Sequence, residues 1–206
     1  MFQKTPDLWN KIFINPIPKA NMTDPRDPLS YRGIALACVS YKLYCNILNE
    51  RLVQWIDDNN ILVDEQNGFR QNRSTIDQLS SLTNIIEVRK KLRKSTFCAF
   101  IDFKKAYDTI NRNILWSKLN VMGVAENFCA VIQSINSNIL CSVRLNGHLS
   151  EWFNVNSGLK QGCPLSPLLF NLFINDLVSF LKSYECGIDI DDEKVCILLY
   201  TDDVEI

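Results

Sequence analysis

The chain has a single histidine, His148, and no two of its eight cysteines form a C-x-x-C pair. A structural zinc centre needs clustered thiolates or imidazoles, so the sequence argues against that class. No stretch reaches about 18 consecutive apolar residues, the length that marks a membrane-spanning helix. Residues 165–181 come nearest, and Asn171, Asn175 and Asp176 interrupt them. The opening Met1-Phe2-Gln3-Lys4 lacks an apolar secretory core. Net charge is scarce too: 22 Lys and Arg against 23 Asp and Glu leave −1, too little for a general nucleic-acid binder. Repeats and low-complexity linkers are absent. These absences predict an intracellular protein, nuclear or cytoplasmic. Its cysteines (38, 45, 98, 129, 141, 163, 186, 196) are expected to be reduced and mostly buried as small hydrophobes.

What is present is enough apolar material for a core and an uneven spread of charge. With 206 residues, 47% of them hydrophobic, the chain can bury one domain or two small ones. Residues 1–100 carry 14 Lys and Arg against 10 Asp and Glu, a balance of +4, whereas 101–206 carry 8 against 13, a balance of −5. A basic first half suits phosphate contact and an acidic second half suits cations.

Periodicity predicts the elements. Lys11–Ile14 reads as a short extended piece before Pro16. Leu43, Ile47, Leu48, Leu52 and Trp55 have helical spacing within 40–55, ended by Asp57-Asp58-Asn59-Asn60. Ser74 with Asp77 three residues on forms an N-terminal capping signal for a helix with Ile76, Leu79, Leu82, Ile85 and Ile86 on one face. Its basic end, 89–94, complements the helix dipole. A strand over 96–101, helices through 114–116 and over about 125–137, and a strand over 139–145 follow, with Gly123 as a stop. Asn146-Gly147 is a hairpin turn returning into a strand with Trp152, Phe153 and Val155. A loop over 157–164 leads into a helix capped by Ser166-Pro167 and running to about residue 182. The acidic turn 191–194 feeds a last strand over 195–199.

That last strand ends in Tyr200-Thr201-Asp202-Asp203, two adjacent acids at the edge of an apolar run. Like charges repel strongly where water is scarce, and proteins tolerate such a pair mainly when a cation neutralises it. The run 96–101 also ends in an acid, Asp102. A lone Asp at a strand end is usually a turn residue. Two such strands side by side would instead gather three carboxylates into a hard, all-oxygen site suited to Mg²⁺. Two-metal phosphoryl transfer uses that arrangement.

The surroundings carry a family resemblance. Ala99-Phe100-Ile101-Asp102-Phe103-Lys104-Lys105-Ala106-Tyr107-Asp108 resembles the first catalytic motif of reverse transcriptases, and Leu199-Tyr200-Thr201-Asp202-Asp203 their second. The stretch from Gly158-Leu159-Lys160-Gln161-Gly162-Cys163-Pro164 through Phe170 resembles their nucleotide-contacting motif in the form typical of non-LTR (LINE-type) retrotransposons. Upstream, Asn15–Lys19, Ser30–Leu36 and Glu65–Arg70 resemble the fingers blocks. The blocks are collinear and cover about 12–206.

The resemblance implies an α+β fold: reverse-transcriptase fingers over 1–95 and a partial palm over 96–206, with a small antiparallel sheet packed on helices. It implies RNA-directed DNA polymerase activity on an RNA template, a DNA primer and dNTP, with two Mg²⁺ ions and Mn²⁺ as a substitute. Asp102 and Asp202 would ligate both metals, with Asp203 as third carboxylate. Lys19 and Arg32 would hold the triphosphate, and Gln161 and Gly162 would line the nucleotide pocket. Tyr107 would exclude ribonucleotides by pressing on the 2′ position, and Phe69 and Arg70 would position the template. Among enzymes the rivals are an intron-type reverse transcriptase, disfavoured by the 160–164 wording, and an RNA-dependent RNA polymerase, disfavoured by Tyr107.

Three positions depart from the family pattern: Gly33 stands where Pro is usual, Thr201 where Ala is usual, and Glu205 where an apolar residue is usual. The chain ends three residues after Asp203. That ending predicts that the return strand, the thumb and any endonuclease domain are missing, with the hairpin paired on one side only. The alternative is a truncated, inactive retrotransposon remnant that at most binds nucleic acid.

Overall fold

The computed structural model describes residues 5–20, 24–184, 187–190 and 193–206. In order these form β1 (Lys11–Pro18), β2 (Tyr31–Leu36), α1 (Val39–Asp58), α2 (Thr75–Lys91), β3 (Phe100–Asp102), α3 (Ala106–Thr109), α4 (Arg112–Val121), α5 (Glu126–Ile135), β4 (Ile139–Leu145), β5 (His148–Leu149), β6 (Phe153–Val155), α6 (Ser166–Ile174), α7 (Asp176–Lys182), β7 (Ile188–Ile190), β8 (Glu193–Val195), β9 (Leu198–Tyr200) and β10 (Asp203–Glu205). They gather into two units, each assembled from two separated stretches: 1–52 with 107–166, and 53–106 with 167–206. No helix of the described residues is long and apolar enough to cross a membrane.

The first unit is organised by a mixed sheet. β1 lies inside it, antiparallel to β2 and parallel to β4, while β6 pairs antiparallel with β4. Ile12, Ile139 and Cys141 are buried together, with Ile14, Ala35 and Val155 packed against them. β1 is longer than the sequence suggests because it runs through Pro16 to Pro18, opposite Gly33 and Tyr31. The Asn146-Gly147 turn forms as expected, both residues having positive φ, and pairs Leu145 with His148. The return is split into β5 and β6, both paired with β4. Ser150 between them bonds Ser142 and Val143, and of the expected residues Phe153 and Val155 lie in β6 while Trp152 lies just before it.

α1 begins in this unit and ends in the other. Its buried side chains are Tyr41, Cys45, Leu48, Leu52 and Ile56, each contributing about 1.5–3 kcal/mol at full burial for the larger apolar ones. The expected face is thus rotated: Leu43 and Ile47 are exposed. Tyr41 fits the core because its hydroxyl donates to Cys163 Sγ at 3.1 Å, and Cys45 packs as a small hydrophobe.

In the second unit α2 has the predicted capping box, Ser74 and Asp77 bonding reciprocally. Its apolar stripe is corrected, however. Ile76, Leu79 and Ile86 are exposed, and the buried positions are Gln78 and Ile85. A polar contact explains the rotation, since Gln78 Oε1 accepts from Asn67 Nδ2 at 2.6 Å and Gln78 Nε2 donates to the Glu205 carboxylate. The expected single helix over 166–182 is two, α6 and α7, meeting at Asn175. β7 pairs with β8; the expected turn at Asp191-Asp192 lies outside the described residues.

The second sheet has the order β3-β10-β9, which overturns the expectation of a missing return strand. β10 is that strand, and it is paired on both sides, to β9 and to β3. Reciprocal bonds between Ala99 and Ile206 (2.8 and 3.0 Å) carry the β3 ladder one residue further. Glu205, expected to pair poorly, sits opposite Phe100 and Leu198 with its carboxylate held by Gln78.

Candidate active site

β9 turns through Thr201-Asp202 into β10, a two-residue hairpin that pairs Asp203 with Tyr200. On the other side of β10, Asp203 is the register partner of Asp102. Two carboxylates therefore stand on neighbouring strands at one end of the sheet, and Asp202 directly precedes one of them. Asp102 and Asp203 are exposed and Asp202 is half-buried. Desolvation, then the charges of Asp202 and Asp102, push the Asp203 carboxyl above its ordinary range. That mutual repulsion is what a cation relieves, and an all-carboxylate donor set suits a hard divalent ion. The acids are neighbours rather than a closed ligand set: among the described residues no three His, Cys, Asp or Glu converge tightly enough to hold a metal.

The acidic turn is held from behind. Thr201 has φ +62°, a conformation a β-branched residue adopts only when its surroundings impose it. The segment 65–67 runs parallel beside β9, with Leu199 N donating to Glu65 O (2.9 Å) and Asn67 N to Leu199 O (2.8 Å). Between them Gln66, 1% exposed, accepts through Oε1 from Thr201 N (2.9 Å) and Gly68 N (2.8 Å). Gly68 lies so close that a Cβ there would collide with Thr201 N and Oγ1. The 61–68 segment is in turn fixed by two asparagines that interrupt the apolar run 165–181, Asn171 within α6 and Asn175 between α6 and α7. Asn171 Nδ2 donates to Gly68 O (2.7 Å), and Asn175 donates to Ile61 O (2.9 Å) and accepts from Val63 N (3.0 Å).

Arg70 is engaged locally. Its guanidinium donates to Val63 O (2.8 Å) and Gln66 O (3.3 Å) and lies 3.7 Å from Asp64 Oδ1. Phe69, at φ +53°, is exposed.

The nucleotide-contacting candidates belong to the first unit. Ile17 pairs with Arg32 and Lys19 N bonds Ser30 O (2.9 Å), so the alternation of the ladder puts Lys19 and Arg32 on one face as diagonal neighbours. Both are exposed. The 158–164 loop reaches the same sheet, where Ala35 N donates to Gln161 O (3.2 Å) and Gly162, at φ +94°, approaches Ala35 O. Gln161 Nε2 donates to Asp108 Oδ1 (3.1 Å), and Leu159 N to Tyr107 O (2.8 Å). Tyr107, Gln161 and Gly162 are thus brought together in one unit. Beneath them Lys160 is buried, its pKa lowered by desolvation to about 8. Its ammonium donates to Ile135 O at the end of α5 and sits 4.3 Å from the Tyr41 ring centre.

The functional residue that sequence reasoning missed is Gln66. A buried amide whose Oε1 is shared by two backbone N–H groups leaves no periodic trace, and its one hint is its place inside the Glu65–Arg70 block. Asn171 and Asn175 did leave one: they are polar interruptions of an otherwise apolar run.

Residues 17–206 match the family described as reverse transcriptase (RNA-dependent DNA polymerase). The Pol polyprotein of the type-1 retrotransposable element R2 from Popillia japonica is 28% identical over 97% of the chain. The probable RNA-directed DNA polymerase from transposon BS of Drosophila melanogaster is 30% identical over 97%. The chain spans only 27% and 21% of the lengths of these relatives. Among solved structures, apo telomerase from Candida tropicalis, truncated from its C-terminal domain, superposes with a TM-score of 0.65 at 15% identity. That match covers 98% of the chain and 44% of the telomerase. The same fold occurs in the C. tropicalis telomerase complexed with a fragment of telomeric RNA, with a TM-score of 0.64 at 14% identity, covering 96% of the chain and 36% of that protein. By its matched motifs, its mixed α+β fold and these relatives, the chain belongs to the reverse transcriptase family.

Proposed function

We propose that the chain is the fingers (1–95) and part of the palm (96–206) of a non-LTR retrotransposon polymerase, extending a DNA primer on an RNA template. The reading rests above all on the pairing of Asp203 with Asp102 beside Asp202. In the reaction the primer 3′-oxygen attacks the α-phosphorus of a dNTP as its proton is lost to water. The bond to the bridging oxygen breaks and pyrophosphate leaves. Asp102, Asp202 and Asp203 stand side by side without closing on one point; drawn together, they would hold two Mg²⁺ ions, or Mn²⁺, which would activate the attacking oxygen and stabilise the leaving one. Lys19 and Arg32 bind the triphosphate, a mobile ammonium beside a forked guanidinium. Gln161 and Gly162 orient the nucleotide, and Tyr107 closes on its 2′ carbon. Phe69 presents an exposed ring to the template, and Arg70 shapes the loop that carries it.

The experiment is extension of a labelled DNA primer on an RNA template by this chain with dNTP and Mg²⁺. Incorporation is expected, and chelation of the metal should reduce it to background. Primer–template binding without incorporation would replace this reading with that of an inactive remnant.

Tyr107→Ala is expected to relax sugar selection, raising ribonucleotide use relative to deoxynucleotide by up to about 10²-fold, the scale on which a pocket rejects one added hydroxyl. The ratio of kcat/KM for dNTP and rNTP measures it, and an unchanged ratio would remove Tyr107 from the pocket.

A further inference from the structure

Arg112 lies outside the motif blocks named above, yet its side chain ties three separate segments of the first unit together. It opens α4 directly after the capping residue Asn111. Its half-buried guanidinium donates to four backbone carbonyls from three segments. Nε reaches Gly158 O (2.7 Å), NH1 reaches Asn136 O (3.0 Å) and Val155 O (3.1 Å), and NH2 reaches Ser157 O (3.0 Å). These carbonyls belong to the C-cap of α5, the last residue of β6 and the start of the nucleotide loop, where regular helix and ladder bonding ends.

The clamped turn is what seats the loop on the Tyr107 segment. Gly158 N donates to Ile110 O (2.9 Å) and Leu159 N to Tyr107 O (2.8 Å). At φ +79°, Gly158 comes so close that a Cβ would lie 2.7 Å from the Asp108 backbone. Gln161 then bonds Asp108 on the far side of the same turn. The separation between Tyr107 and the Gln161-Gly162 backbone is therefore fixed through residues 157–159, and Arg112 holds those residues down.

We infer that Arg112 is a positioning residue for sugar selection: it keeps the nucleotide loop in register with Tyr107, so that the pocket admits a 2′-deoxynucleoside triphosphate and rejects its ribonucleotide. The inference rests on the polymerase reading. Lysine is a poor substitute, because three donors on one nitrogen cannot span carbonyls arranged around a planar fork.

The test compares the full chain with Arg112→Met and Arg112→Lys. Hydrogen exchange at the Gly158 and Leu159 amides is expected to speed up roughly 10–100-fold in Arg112→Met, the equivalent of losing a hydrogen bond to a charged group. Amides of Leu115 and Leu119 in α4 should keep their protection. In single-nucleotide incorporation, KM for dNTP should rise about 10-fold and the dNTP-to-rNTP preference should narrow, since a small misplacement acts on geometry rather than on the amount of folded protein. A purely structural role would lower the active fraction and leave both KM and the sugar preference untouched, which overturns the inference. If Arg112→Met does not fold, Arg112→Lys carries the same comparison, with smaller shifts expected in the same direction; wild-type protection and preference there also overturn it. A wild-type chain that incorporates no nucleotide defeats the polymerase reading itself, whereas an active wild type with an unchanged preference in both variants defeats only the role of Arg112.

Discussion

Asp202→Asn is expected to cut nucleotide incorporation by about 10²–10³-fold, and Asp102→Asn by the same order, the loss that follows removal of one preorganised electrostatic group. Asn matches Asp in shape, so β3 and the β9–β10 hairpin keep their register and only charge is lost. The expected stability change has the opposite sign from the activity change. Asp203 has its carboxyl raised by desolvation and by its two acidic neighbours. A folded-state pKa above the unfolded one means that the contribution to stability is complete below the unfolded value and is lost as pH rises through the folded value. At neutral pH the charges at this sheet end therefore work against the fold, and neutralising Asp102 or Asp202 should leave Tm unchanged or raise it. Primer extension and thermal melting on the same preparations check both halves. Wild-type incorporation in the Asn variants would remove the carboxylates from the reaction, and a fall in Tm would mean that they are structural.

The acids were legible in the sequence because a charged pair at the end of an apolar run conflicts with burial, and such conflicts mark function. The Ser74–Asp77 box was legible because it is local, as was the Asn146-Gly147 turn. Helix faces were harder to read. On α1, Leu43 and Ile47 scored as core while Tyr41 and Cys45 took those places, since a tyrosine that donates to a buried thiol is as good a core residue as leucine. On α2, Gln78 displaced the apolar stripe because its amide has partners on two other segments, which no spacing rule sees. β10 was missed for a different reason. A three-residue strand is too short for alternation to register, and its pairing with β3 lies about 100 positions away in the chain. What the sequence conceals, then, is mainly the buried polar contacts, and these fix the acidic turn.

Gly68→Ala tests that conclusion most severely. An added methyl would collide with Thr201 N and Oγ1 and lie 2.9 Å from Thr201 Cα, so close that backbone must move. The turn has little room to yield, because Thr201 N is already tied to Gln66 Oε1, Gly68 O to Asn171, and Leu199 to Glu65 and Asn67. Forcing extra volume into such a site costs about 1–3 kcal/mol, equivalent to a Tm loss of about 2–4 °C per kcal/mol in a chain of this size. The effect on incorporation should exceed the effect on stability. Asp202 follows Thr201 directly, and a displacement of about 1 Å in a reacting constellation costs on the order of 10²-fold in rate. Gln66→Ala, which removes the acceptor shared by Thr201 N and Gly68 N without adding volume, should lose activity in the same direction. Melting curves and single-nucleotide incorporation rates separate the two effects. If Gly68→Ala melts and incorporates like wild type, the Gln66–Gly68 segment does not hold the catalytic turn, and the strained backbone of Thr201 needs another cause.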